Sequence, residues 1–225
     1  RSLRCLQLNG APITDAGLAM LSRLTLLEEL NLTGTRVTGA GLAHLKLLTC
    51  LNRLSFNGTS VTLADVVRLF VQEQGRSLTD ALVAMALATR DGENNVVAID
   101  VAGTEFGDSE LQHLGPIGTL RELHLAATRV TDAGMPHIGQ LANLERLYLA
   151  KCDVSDVGLA HVSSLIRLQA INLYGTKLTS AGLEHLSRLE ALRQLSVTDV
   201  KLSPAAVDRL KQKLPRLTVT DYTPV

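Results

Sequence analysis

Apolar residues recur along this 225-residue chain in one spacing, LxxLxL, and the spacing itself returns every 24 residues. Modules open at Leu3, Leu27 and Leu51, and again at Val96, Leu120, Leu144, Leu168 and Leu192, as in LEELNLTGTRVTGAGLAHL from 27 and LERLYLAKCDVSDVGLAHV from 144. Seven or more copies in register exclude coincidence, and a shorter element, LPRLTV at 214–219, carries the strand pattern once more. The fourth and sixth positions of LxxLxL share a parity, so both point to one side of a strand while the residues between them face outward. Apolar positions then change to threefold spacing, as at Leu159, Val162 and Leu165, which predicts a short helix or 3₁₀ turn packed behind the strand.

The junction between strand and helix is also patterned. Position 12 of the module is Thr14, Thr38, Thr62, Thr131, Ser155, Thr179 and Ser203, which predicts helix N-caps. Asp15, Asp108, Asp132 and Asp156 follow at the start of the helix, where its dipole favours a carboxylate, and Pro204 takes that place in the last full module. Position 9 is Thr35, Thr59, Thr104, Thr128, Cys152 and Thr176, a column whose hydroxyls can bond backbone groups in the bend after the strand. Gly17, Gly41, Gly134, Gly158 and Gly182 are expected to let successive helices approach closely through their backbones.

One interruption breaks the period, because Leu51 and Val96 stand 45 residues apart instead of 24. A strand starting at residue 75 would put Asp80 at a core position, so this is no weak repeat; two helical stretches, 63–74 and 78–89, and a polar turn at 90–95 fit better. The expected organisation is N-terminal repeats over 1–74, a helical insertion over 75–95, and C-terminal repeats with a closing cap over 96–225. A boundary between two repeat blocks is the alternative.

The pattern resembles the leucine-rich repeat, whose units of about 20–29 residues each give one strand and one short helix. The resemblance implies an α/β fold: a leucine-rich repeat solenoid with a parallel β-sheet on the concave face, short helices on the convex face, and one helical insertion. The phrase TRVTDAGMPHIGQLANLERLYL, with its TDAG core, is similar to the 24-residue bacterial repeats abundant in planctomycetes, and ALATRDGENNVVAIDVAGTEFGDSELQHL looks like the lead-in of such blocks. Those proteins are frequently exported or joined to other domains, which implies an exported or cell-envelope location ahead of a cytoplasmic one. LYLAKCDVSDVGLAHV is also similar to the cysteine-containing repeats of F-box proteins, but Thr replaces Cys in most modules and the period is shorter. Three functions stay open: a non-catalytic interaction module, the substrate-receptor arm of an F-box-type ubiquitin ligase, and a recognition domain beside an enzymatic or haem domain outside this sequence.

Composition narrows these further. Lys plus Arg equal Asp plus Glu at 22 each, so no net field draws the chain toward nucleic acid. Cys5, Cys50 and Cys152 are too few and scattered for a disulfide framework, contain no CxxC pair, and are expected to be buried thiols. No apolar run reaches the ~18 residues of a membrane span. Arg1 opens almost on top of a repeat with no initiator Met, which reads as a segment cut from a longer chain. No GxxxxGK[ST], HExxH, GxSxG or GxGxxG occurs, so no catalytic or cofactor-binding residue is assigned.

Function is then expected on the outward positions of the sheet. Positions 3, 5 and 7 bring Asp100, Glu122, His124, Arg146, Tyr148 and Tyr174 together, beside the small Ala102, Ala126 and Ala150. Tyr and Arg are favoured anchors of protein interfaces, so a protein or peptide ligand is expected there, bound by a monomer. The bland alternative makes Glu122–Arg146 and Glu29–Arg53 cross-strand ion pairs of little worth. The remaining histidines, His44, His113, His137, His161 and His185, all fall at position 18 on the helical side. Neighbouring helices lie about 8–10 Å apart, whereas zinc needs nitrogen at about 2.0–2.1 Å, so this row reads as a half-buried ring and no metal ligand is assigned.

Overall fold

The computed structural model describes residues 3–114, 117–220 and, as backbone, 223–224. Arg1 lies outside them. The chain divides into two compact units, Arg1–Thr89 and Arg90–Val225, and each is a run of parallel strands with short helical segments between them.

In the first unit, β1 (Cys5–Gln7), β2 (Glu29–Asn31) and β3 (Arg53–Ser55) pair in parallel, with Leu6, Leu30 and Leu54 in register on the core side. Each strand is three residues long because LxL supplies only that much alternation before the chain bends. Behind them run α1 (Asp15–Ala19), a 3₁₀ turn over Gly41–Leu45, and α2 (Leu63–Val67), which continues as a π-helix over Arg68–Glu73. Phe70, Val66 and Leu69 from this last stretch pack with the strand leucines into one core.

α3 (Leu78–Ala84) closes the unit, and Asp80 has a different task from a core residue: with Ser77 it forms a capping box at the helix start. The helix expected to run to residue 89 ends at Ala84. Ala86 sits in the left-handed region, φ 59°, and the N–H groups of Ala86 and Leu87 return to the carbonyls of Val83 and Leu82, which is a Schellman termination. The chain leaves it as β4 (Ala88–Arg90).

The second unit is built on β5 (Val96–Asp100), β6 (Glu122–His124), β7 (Arg146–Tyr148), β8 (Ala170–Asn172) and β9 (Gln194–Ser196), all parallel and all in register. After β10 (Lys201–Leu202), β11 (Thr218–Thr220) adds to β9, and β12 (Thr223–Pro224) pairs with β10. The helical side holds α4 (Asp108–Leu111), α5 (Met135–Ile138), α6 (Asp156–Leu159) and, after a 3₁₀ turn at Gly182–Leu186, α7 (Pro204–Lys213). Ile99, Leu123, Leu147, Ile171 and Leu195 form the buried ladder of the sheet.

The Thr column works locally, as anticipated. The hydroxyls of Thr35, Thr59, Thr104, Thr128 and Thr176 donate to the carbonyl three residues earlier at 2.6–2.8 Å. The Asp column does something the sequence did not announce. The carboxylate of Asp15 reaches past its own helix to accept from the N–H and hydroxyl of Thr38 in the next module, at 2.8 and 2.7 Å. Asp108 does the same to Thr131, Asp132 to Ser155 and Asp156 to Thr179. Each of these hydroxyls then accepts from the N–H two residues on, so the turn before the helix is wired to the preceding module; Ser155 is the N-cap of α6, as expected, whereas the helical turns after Thr38, Thr131 and Thr179 start from Ala40, Gly134 and Ala181.

This ladder explains four of the five glycines at position 15, Gly17 facing only Ile13 of its own module, and the reason is not the backbone approach expected for them. A Cβ at Gly41, Gly134, Gly158 or Gly182 would collide with the carboxylate of Asp15, Asp108, Asp132 or Asp156. Where the preceding module has no Asp, position 15 changes. Asp65 follows Gly39, lies in the space over it, and caps its own Thr62 at 3.0 and 2.7 Å. Glu110 likewise caps its own Gly107 in the first module of the second unit, and Ala206 follows Ser180, whose hydroxyl accepts from Ser203 N–H at 2.8 Å.

The cysteines correct another expectation, since only Cys152 is buried while Cys5 and Cys50 are exposed. Cys5 occupies an outward strand position, and Cys50 lies in the turn before β3. Of the position-18 histidines, His44, His113 and His161 are exposed and His137 and His185 half-buried, because that side of the helix faces away from the core. Among the described residues no helix is long and apolar enough to cross a membrane.

Candidate interaction face

The outward side of the second unit's sheet is fixed by register. Asp100, His124, Tyr148 and Asn172 stand abreast on β5 to β8, and Ala98, Glu122, Arg146 and Ala170 form the row beside them. Parallel pairing of identical short strands allows no other alignment without turning leucines into solvent.

Within that grid the side chains form one connected group. The rings of His124 and Tyr148 stack with centroids 4.1 Å apart and planes 21° from parallel. Glu122 joins both rows: one oxygen accepts from Arg146 Nη2 at 2.6 Å and the other lies 2.7 Å from His124 Nε2. The Arg146 hydrogen bond, against the opposing effect of burial and with help from His124, holds the Glu122 carboxyl below its ordinary pKa. It is therefore an ionised acceptor, so His124 Nε2 carries the hydrogen and donates. All four side chains are only partly exposed, so the stack and the ion pair are held in place yet reachable.

Asp100 is the outlying member: its side chain accepts from Ala102 N–H at 3.1 Å and makes no hydrogen bond to His124, although the two residues are register partners. Tyr174 lies one module beyond, its N–H bound by the Asn172 side chain at 2.9 Å. Ala102 is exposed, Ala126 half-buried and Ala150 buried, a row of small side chains that ends at Tyr174.

Lys151 was not singled out from the sequence, and it completes the face. It sits at position 8 of the module, where Gly10, Gly34, Gly58, Gly103 and Gly175 all adopt positive φ. Lys151 adopts φ 60° there, a conformation that costs an L side chain roughly 1–2 kcal/mol. Its ammonium stands 5.5 Å from the centre of the Tyr174 ring, its stem lies where a side chain on residue 175 would meet it, and no carboxylate partners it among the described residues. The only signal in the sequence was a lysine in a glycine column.

Comparison with known proteins agrees with the architecture. The family model described as Leucine Rich repeat matches residues 1–22, 23–46 and 140–162. No curated protein sequence matches the chain. Among solved structures, a plant peptide hormone receptor, RGFR1 in complex with RGF2, superposes with a TM-score of 0.54 at 18% identity over 99% of this chain. The chain spans 36% of that receptor's length. An internalin C2 from Listeria monocytogenes aligns at 20% identity over 96% of this chain and 80% of its own, with a TM-score of 0.46. The fold is that of a leucine-rich repeat protein.

Proposed function

We propose that the chain is a non-catalytic interaction module that binds a protein or peptide on the outward face of its second sheet, through Asp100, Glu122, His124, Arg146, Tyr148 and Tyr174. The observation that carries this reading is the His124–Tyr148 stack braced by Glu122 and Arg146. Rigid aromatic side chains, and an arginine already held by Glu122, lose little further entropy on binding, and tyrosine and arginine recur as the energetic centres of interfaces. The small Ala102, Ala126 and Ala150 beside the stack leave room for a partner's side chains. The plant receptor's complex with RGF2 is an instance of the same fold holding a partner.

Catalysis is a weaker reading of the same residues. His124 commits Nε2 to Glu122 and stacks its ring on Tyr148, and no hydroxyl or thiol is hydrogen-bonded to it among the described residues. The test is a pull-down from a lysate of the source organism with wild type and a Tyr148→Ala/Tyr174→Ala variant. Loss of the recovered partner supports the proposal; equal recovery by a folded variant refutes it.

A further inference from the structure

The face has a charge left over, and that charge says what a partner must bring. In these modules Arg146 pairs with Glu122, Arg121 with Glu145, Arg129 with Glu105 and Lys177 with Asp153. Lys151 has no acidic partner among the described residues; it is exposed, follows Ala150 in the chain and stands over Tyr174. Its position is also the one at which a glycine would be easiest to accommodate. In that column Asp199 is of a residue type that tolerates positive φ, and Ala127 is small, whereas Lys151 is long and charged. Its backbone N–H bonds the Tyr174 carbonyl at 2.7 Å, an interaction glycine would make equally well, so the ladder does not require the side chain.

We infer that Lys151 is the specificity-determining residue of the proposed face, and that it selects a peptide segment bearing an acidic side chain beside a group packed on the row of Ala102, Ala126 and Ala150. Tyr174 positions the ammonium: the ring holds it by a cation–π contact without neutralising it, leaving its donors free for a carboxylate. The inference rests on the proposed interaction reading and adds the chemistry of the ligand to it.

A displayed library of random peptides, panned on the full chain and counter-selected on the Tyr148→Ala/Tyr174→Ala variant, tests it. Peptides that depend on the tyrosines should carry Asp or Glu at a fixed spacing from an apolar residue. A synthetic peptide of that kind should bind Lys151→Gly at least about tenfold more weakly, the scale of one charge-assisted contact, while Lys151→Arg restores most of the affinity. The Tm of Lys151→Gly should be no lower than that of wild type, because glycine is at ease at φ 60°. Tyrosine-dependent peptides without an acidic preference, or with equal affinity for Lys151→Gly, would overturn the role of Lys151 and leave the face standing. Failure to recover any tyrosine-dependent peptide would overturn both. A lowered Tm with unchanged peptide affinity would make Lys151 a structural brace for Tyr174, and the inference would fall.

Discussion

The carboxylate ladder makes a quantitative demand on pairs of positions that lie in different repeats. In wild type, Asp15 accepts two hydrogen bonds from Thr38, and the space it fills is the space that a Cβ on Gly41 would enter. Asp15→Ser keeps one acceptor and loses the charge, so it should cost about 1 kcal/mol, the net worth of one exposed polar contact. Gly41→Ala gains about 1 kcal/mol of backbone propensity but forces the carboxylate out of its site, an overpacking of about 1–3 kcal/mol together with its lost hydrogen bonds to Thr38. A net loss of about 2 kcal/mol is expected. The double variant copies a pair the molecule already contains, Ser180 followed by Ala206, in which the smaller side chain still accepts from Ser203 N–H. It should therefore lie within about 1 kcal/mol of wild type, a coupling of about 2 kcal/mol between residues 26 positions apart. Urea titrations followed by circular dichroism on the four proteins measure it, provided the transition that shifts keeps a constant slope. Additivity within about 0.5 kcal/mol would refute the ladder as a source of repeat-to-repeat stability.

Other consequences can be measured on the same material. Burial pushes the Asp132 carboxyl up, but the hydrogen bonds from Ser155 and Gly158 and the charge of Lys177 together hold it below its ordinary pKa; its contribution is therefore present above the unfolded-state value of about 3.9 and lost as pH falls through the lower folded value. Asp132→Asn should flatten the acid limb of a stability profile, and an unchanged limb would contradict that. Thr35 is buried and donates to Leu32 carbonyl at 2.7 Å, so Thr35→Val should cost about 1–2 kcal/mol by denaturant titration, with a change under about 0.3 kcal/mol counting against the column's role. Ala86→Gly, at φ 59°, should leave stability unchanged or raise it by up to about 1 kcal/mol, whereas a clear loss would remove the Schellman explanation of where α3 ends.

Much of this fold could be read directly, because a 24-residue period forces each strand leucine into line with the one before it. The period placed Leu123, Leu147 and Ile171 in the core and put Glu122, His124, Arg146 and Tyr148 side by side. What escaped is chemistry that crosses from one module to the next. Asp15 looks like a helix-dipole residue within its own repeat, and only the solenoid's stacking shows that its carboxylate belongs to Thr38. Gly41 looked like a helix-packing residue for the same reason. The end of α3 was hidden because alanine, a good helix former, occupies the left-handed residue that glycine usually marks. Cys50 was expected inside because thiols usually are, but the turn before β3 leaves it in solvent. At the candidate face, register was legible but side-chain direction was not: His124 turns to Glu122 and away from its register partner Asp100, and Lys151 reaches Tyr174 from a turn.

The central claim is that partner binding is centred on the His124–Tyr148 stack. Isothermal titration of the partner recovered by wild type, repeated with the folded Tyr148→Ala/Tyr174→Ala variant, tests it most directly. Two aromatic anchors at the centre of an interface are worth at least about 2 kcal/mol, so the account predicts a Kd at least about 30-fold weaker. An unchanged Kd would contradict it.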